Sequence, residues 1–378
     1  MKRLIVCCDG TWATLAEPAP TNVFKIAQIV NPVAHDGTPQ LIYYQPGLGT
    51  EHDEFDRITG GFFGWGMDTA IQESYRFLCF NYEPGDEIYL FGFSRGAYTA
   101  RSLAGFLYCS GLLQRPYIRK VPYAYELYRD RTIPPSHPTA TAFRSQYGEN
   151  VPIKLLACWD TVGELGVPKL IPWISDWVNA KYQFHDTKLN RQIENAVHAV
   201  AIDERRKVFD VTPMEISEGA TTTLTQVWFP GTHACVGGGK LESTGLSDAT
   251  LQWMIDMIGK LGLGLDFVDH PETVADGGIK PDYAIAFDPE IQGVMAIGGI
   301  IHRSLCNAER NNQTFFEHDI HLSAKQRWAL TQTPLYRSEN LEPYQQWFDA
   351  LNSVETPSDQ LSSISRNTSE TLSRPRSR

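Results

Sequence analysis

Between residues 87 and 110 the chain passes from an apolar run, EIYLF, through GFSRG into a segment with helical spacing. Ala97, Ala100, Leu103, Ala104 and Leu107 fall on one face of a helix begun after Ser94. A turn this short between strand and helix admits few geometries. Gly92 and Gly96 flank the serine, and without Cβ atoms they let strand and helix close on each other. Gly-x-Ser-x-Gly alone is weak evidence. Placed after a strand and before a helix, it has the context of a nucleophile elbow, which lifts a serine hydroxyl above the carboxyl ends of the strands. The structural alternative is a helix-capping serine beside close-packing glycines.

Three further apolar-rich runs accompany EIYLF: RLIVCC (residues 3–8), VPIKLLAC (151–158) and QVWF (226–229). Unbroken rather than alternating hydrophobicity marks strands buried on both faces, as in a parallel sheet. Helical patterns lie between them. NVFKIAQIV (22–30) follows a Thr-Asn capping pair, and MDTAIQESYRFLCF (67–80) follows GGFFGWG. This alternation predicts a doubly wound α/β fold with a mostly parallel sheet. With no repeat in the chain, residues 1–350 are expected to form one catalytic domain.

A serine hydroxyl needs a base, and the base needs an orienting acid. Asp160, in LLACWDTVGELG, and His233, in VWFPGTHACVGGG, each follow an apolar strand. Both are therefore expected on the same edge of the sheet as Ser94. The order Ser94, Asp160, His233 is that of the α/β-hydrolases. Asp203 and Asp248 are rival acids, but neither directly follows a long apolar strand. His198, in NAVHAVAIDERR, reads as a packed residue in a helical segment. The Arg95 amide, at the start of the helix, is placed as an oxyanion donor, and the Gly10–Thr11 loop is the candidate for the second. Asp9 reads as a residue that orders this loop rather than as an acid.

Composition narrows the function classes. The net charge of −11 and the lack of a long basic patch argue against nucleic acid. No run of 18 apolar residues is present, and the apolar start Leu4–Cys8 is too short for a signal peptide. Seven cysteines without a CxxC pair predict reduced core thiols rather than a disulfide frame or a zinc site. Cytoplasmic synthesis is the expectation, with signal-independent secretion compatible with it. No metal or organic cofactor is expected.

Residues 164–190, rich in Pro, Trp and Tyr, interrupt the α/β rhythm as a lid-like insertion or a packed surface loop. Trp173 and Trp177 are four apart, and on a short helix they would share a face toward substrate or a lipid surface. Residues 283–350 read as a C-terminal extension, and 355–378, rich in Ser, Thr, Arg and Pro, as a disordered tail.

Together CDGTW, TNV (21–23), PGLGT (46–50), GFSRGAYTAR, WDTVG (159–163), HAVAIDERR (198–206), FPGTH with VGGG, and LSDATLQWM (246–254) resemble one family. It is the α/β-hydrolase domain family, once labelled only as a domain of unknown function, that includes the catalytic domains of type VI secretion phospholipase effectors. The resemblance implies a Ser-His-Asp hydrolase with Ser94 as nucleophile, Asp160 as acid and His233 as base. In HACVGGG, Cys235 stands where the family usually has an aspartate. The expected activity is hydrolysis of carboxylic esters, with lipid acyl esters leading and peripheral membrane contact following from that. The alternatives are a small-molecule esterase or thioesterase, and a catalytically quiet binding module. Oligomeric state is not legible in the sequence.

Overall fold

Six strands pair into one sheet: β1 (Arg3–Cys8), β2 (Gln40–Gln45), β3 (Glu87–Phe93), β4 (Ile153–Trp159), β5 (Ile193–Ala201) and β6 (Thr223–Phe229). The order across the sheet is β2-β1-β3-β4-β5-β6, and every pairing is parallel. The computed structural model describes residues 1–10, 19–47, 61–162, 188–270, 277–287, 299–303, 305, 319–330 and 335–352. The expected tail lies outside these residues, as does nearly all of the lid-like insertion, with Trp173 and Trp177.

The apolar runs become strands because both faces of the sheet are covered. Leu4, Val6 and Cys8 of β1 enter one core, and Ile5 and Cys7 enter the other. On the second face lie α1 (Asn22–Ile29), capped by the Thr21 side chain on the Phe24 amide, and α7 (Thr244–Lys260). On the first face lie α2 (Gly61–Asn81), α3 (Arg95–Ser110), α4 (Val121–Arg129) and α5 (Pro138–Tyr147). The result is an α/β fold on a six-strand, all-parallel sheet. A third apolar cluster joins Val200, Ile202 and Trp228, on and just after β5 and β6, to Leu305, Ile320, Trp328, Leu341 and Phe348. Trp328 belongs to α8 (Leu322–Ala329) and Phe348 to α9 (Gln345–Asn352), so much of the expected C-terminal extension packs against this end of the sheet.

Two elements depart from the sequence reading. NAVHAVA is not helical but lies in β5. Seen along the chain, its Ala and Val residues carry no period-2 signal, because a strand inside a parallel sheet is buried on both sides. β2 was not anticipated. It is an edge strand, only partly buried beyond Gln40, and its tyrosines do not make a continuous apolar run.

The strand order sets the site. From β1 the chain moves outward to β2, then returns through β3 to build the rest of the sheet the other way. Adjacent loops diverge at such a switch point and leave a crevice beyond the carboxyl ends of β1 and β3. Asp9 and Gly10 follow β1 there, and Ser94 follows β3.

The close approach depends on one glycine above all. A Cβ on Gly96 would lie 2.1 Å from the Cys8 carbonyl oxygen and 2.5 Å from that of Asp9. Backbone cannot step aside as a side chain can, so Gly96→Ala is expected to cost about 1–3 kcal/mol or more. Gly259, near the end of α7, meets nothing within 4 Å. There Gly259→Ala should stabilise by roughly 0.5–1 kcal/mol through helix entropy. Denaturant midpoints of the two variants check the contrast, and equal shifts would refute the tight approach at Gly96.

Candidate active site

Ser94 and Asp160 are the two non-glycine residues with positive φ among the described residues, at 58° and 39°. Such strain costs on the order of 1–3 kcal/mol and persists only where surroundings enforce it. At Ser94 the enforcement is visible. Its amide donates to the Trp159 carbonyl at 3.1 Å, and its carbonyl accepts from Tyr98 N at 3.3 Å. A Cβ on Gly92 would sit 2.5 Å from the Ala97 Cα, so the strand folds directly onto the first turn of α3. Asp160, just past β4, is tied by its amide to the Ala199 carbonyl of β5 at 2.8 Å.

These strained turns, with the loop after β6, bring three side chains into line. His233 Nε2 lies 2.8 Å from Ser94 Oγ, and its Nδ1 lies 2.6 Å from Asp160 Oδ2. With Asp160 ionised, Nδ1 carries the proton and donates it, and Nε2 accepts from the serine hydroxyl. All three residues are buried. His233 opens α6 (His233–Gly237), and its ring is held between Phe93 and Phe209 at centroid distances of 4.7 and 4.8 Å. Gly237 makes room for Phe93, since a Cβ there would lie 1.9 Å from that ring. The His233 amide donates to Glu204 Oε2 at 3.2 Å, and Glu204 is itself clamped by Arg206 Nη2 at 2.6 Å.

Electrostatics follow from burial and neighbours. Burial lowers the His233 pKa, against the pull of Asp160, and so favours the neutral imidazole that a base requires. Burial works against an ionised Asp160, but Arg303 and His233 outweigh it and hold the carboxyl well below the usual range. Arg303 Nη1 donates to Oδ1 at 2.7 Å and Nη2 to Oδ2 at 3.1 Å. Oδ1 also accepts from the Ala201 amide at 3.0 Å. Sequence reasoning missed Arg303. Its only local signal was a cation inside the apolar stretch GGIIHRSL.

The other candidates are accounted for in place. His198 is fully buried, accepting from the Thr161 amide at 3.1 Å and facing Gln226 Oε1 across 2.8 Å. Burial lowers its pKa to about 4, so it is a neutral support beneath the Asp160 turn. Asp203 accepts from the Gly231 amide and the Tyr336 hydroxyl, and burial raises its pKa to about 6. Asp248 pairs with Lys25 at 2.7 Å, joining α7 to α1. His233 Nδ1 donates to Asp160 and to neither rival. Asp9 accepts from Gly10 N, Thr21 Oγ1 and Tyr44 Oη, consistent with a loop-ordering residue. Gly10 lies beside the elbow, where a Cβ would be 3.3 Å from the Ser94 Cβ, but its amide is bonded to Asp9 Oδ1 at 2.6 Å. Arg95 is the first residue of α3, and Thr11 lies outside the described residues. Cys235 is buried with its Sγ 3.4 Å from Thr232 Oγ1. Six cysteines are described, all buried and unbridged. Among the described residues no three His, Cys, Asp or Glu side chains converge as a metal-holding group. No helix among them is long and apolar enough to cross a membrane.

Residues 2–257 match the family model for the type VI secretion system phospholipase effector Tle1-like catalytic domain. The chain belongs to this family. A curated relative, an uncharacterized protein of Saccharomyces cerevisiae, is 28% identical over 240 residues, covering 56% of this chain and 33% of that protein. The chain thus spans about a third of the length of the relative it matches. Among solved structures, the Tle1 effector bound to the VgrG spike aligns at 18% identity and TM-score 0.35, over 63% of this chain and 51% of that one. An uncharacterized protein from Pseudomonas aeruginosa aligns at 15% identity and TM-score 0.39, over 97% of this chain and 62% of that one. The Tle1-like match ends before Arg303 and the C-terminal segments that cover β5 and β6.

Proposed function

We propose that the protein is a serine hydrolase of carboxylic esters, acting on phospholipid or other lipid acyl esters through an acyl-enzyme. The observation that carries this reading is the relay of 2.8 and 2.6 Å from Ser94 through His233 to Asp160. Ser94 Oγ attacks the ester carbonyl as His233 Nε2 takes its proton. The resulting imidazolium is stabilised by Asp160 and protonates the leaving alcohol. Water then repeats the sequence and releases the acid. The Arg95 amide, at the positive end of α3, is the first oxyanion donor. The Gly10 amide is engaged by Asp9 Oδ1, so the proposal assigns the second position to the Thr11 amide.

Lipid as substrate class is supported by the family and by the apolar insertion after the acid-bearing strand. In this reading Trp173 and Trp177 line the acyl site or touch a lipid surface. The test is the purified chain with a fluorophosphonate probe, a micellar phospholipid and a soluble acetate ester. One labelled serine, with phospholipid turned over faster than acetate, is the expected result. No labelling and no turnover would favour a binding module. Turnover of acetate alone would favour a small-molecule esterase. The Trp173→Ala, Trp177→Ala double variant should lose phospholipid activity far more than acetate activity, and an unchanged ratio would remove these residues from substrate contact.

A further inference from the structure

Neither the Ser-His-Asp pattern nor the family match accounts for Arg303, which lies beyond the matched residues 2–257. Its side chain is 1% exposed and turned inward onto a carboxylate that is 0% exposed. Two guanidinium nitrogens meet both Asp160 oxygens, at 2.7 and 3.1 Å. The same nitrogens donate to the Ala201 and Phe209 carbonyls. The backbone beside it is pinned as well. Ile301 N donates to Arg205 O at 2.8 Å, Lys207 N donates to Gly299 O at 3.0 Å, and Ile300 pairs antiparallel with Arg206.

A planar fork on both carboxylate oxygens fixes rotation as well as position, which a single donor does not. A buried cation on the acid also has a charge consequence. A carboxylate stabilises an imidazolium less when a guanidinium shares its charge. We infer that Arg303 is a positioning residue that holds the Asp160 carboxylate in register with His233 and, through its charge, sets the pH at which His233 begins to act as a base. This rests on the proposed Ser94–His233–Asp160 mechanism.

Other charges also surround the site, and Arg303 is the one that acts through Asp160. After β5, Glu204 raises the His233 pKa and its partner Arg206, bonded to it at 2.6 and 2.8 Å, lowers it. Asp210, half-buried beyond that loop, is pushed up by burial with Arg303 acting against it. Lys240, following α6, feels Arg206 and Glu204, and burial lowers its pKa. From α3, Arg101 donates to the Thr212 and Pro213 carbonyls and adds a positive potential at the buried, neutral His198. Arg303 is the cation hydrogen-bonded to Asp160.

The test compares wild type, Arg303→Gln, Arg303→Lys and Ser94→Ala by kcat, KM and the pH profile of kcat/KM on one soluble ester. In Arg303→Gln the acid limb should move up by about one pH unit, because Asp160 then acts on His233 with its full charge. Its kcat should fall by about tenfold or more with little change in KM, because the acid is no longer held in register. Arg303→Lys keeps the charge and loses the fork. Its acid limb should stay near that of wild type while kcat still falls. An unmoved acid limb in folded Arg303→Gln, or wild-type kcat in Arg303→Lys, overturns the inference. If Arg303→Gln does not fold, Arg303→Lys decides on the same two readouts. Turnover surviving in Ser94→Ala would overturn the triad itself. An inactive Ser94→Ala beside Arg303 variants with wild-type profiles would overturn the role of Arg303 alone.

Discussion

Ser94→Ala is expected to cut ester turnover by about 10³-fold or more while leaving the protein folded. The hydroxyl lies 2.8 Å from His233 Nε2, its proposed base. The elbow is held by backbone, through the Trp159 carbonyl, the first turn of α3 and the approach of Gly96 to β1. Removing one oxygen therefore takes away the proposed nucleophile and little packing. Alanine inherits the same φ of 58°, so the strain is neither relieved nor added to. The measurements are kcat on a soluble ester, fluorophosphonate labelling, and a thermal midpoint. Near wild-type turnover in pure, folded Ser94→Ala protein would end the mechanism.

Asp160→Asn should lower turnover by about 10²–10⁴-fold, because an amide favours the wrong imidazole tautomer. Here the substitution carries a second effect. Asp160 faces His233 Nδ1 on one oxygen and Arg303 on both. An asparagine places an NH₂ toward one of these donors and leaves the Arg303 cation buried without its counter-charge. Breaking a buried pair in this way costs about 3–5 kcal/mol. Loss of activity and a lower unfolding midpoint should therefore appear together. Asp248→Asn, which breaks the buried pair with Lys25, should lower the midpoint with much less effect on turnover. Asp203→Asn should also cost much less turnover, since its carboxylate serves Gly231 and Tyr336. Turnover lost more heavily in either of those two variants would move the acid away from Asp160.

The legible part of the site was the part written in short-range spacing. GFSRG and WDTVG place a polar residue immediately after an apolar strand, FPGTH places one a short turn beyond a third, and in the structure these three residues meet within hydrogen-bonding distance. Gly92 and Gly96 were readable for the same reason, because a turn that tight has steric demands that few residues meet. The part read wrongly, NAVHAVA, is a strand whose neighbours on both sides remove the alternation that would mark it. β2 was missed because an edge strand needs apolar residues on fewer sides.

By itself the sequence determined the strand–turn–helix elbow, the parallel α/β class, and which residues stand at strand ends, because each is a local matter of period, size and backbone freedom. Only the tertiary structure decided which of those ends become neighbours and what else reaches them. The strand order brings Asp160 and His233 to Ser94 across separations of 66 and 139 positions; the second is the separation of the hydrogen-bonded pair itself. It turns the Gly10 amide toward Asp9, sets His198 neutral beneath the Asp160 turn, and lays the segment bearing Arg303 along residues 205–207. A polar contact between distant segments leaves no periodicity in either one. It exists because burying a charge without a partner is costly, and that cost is felt only once the chain has packed around it.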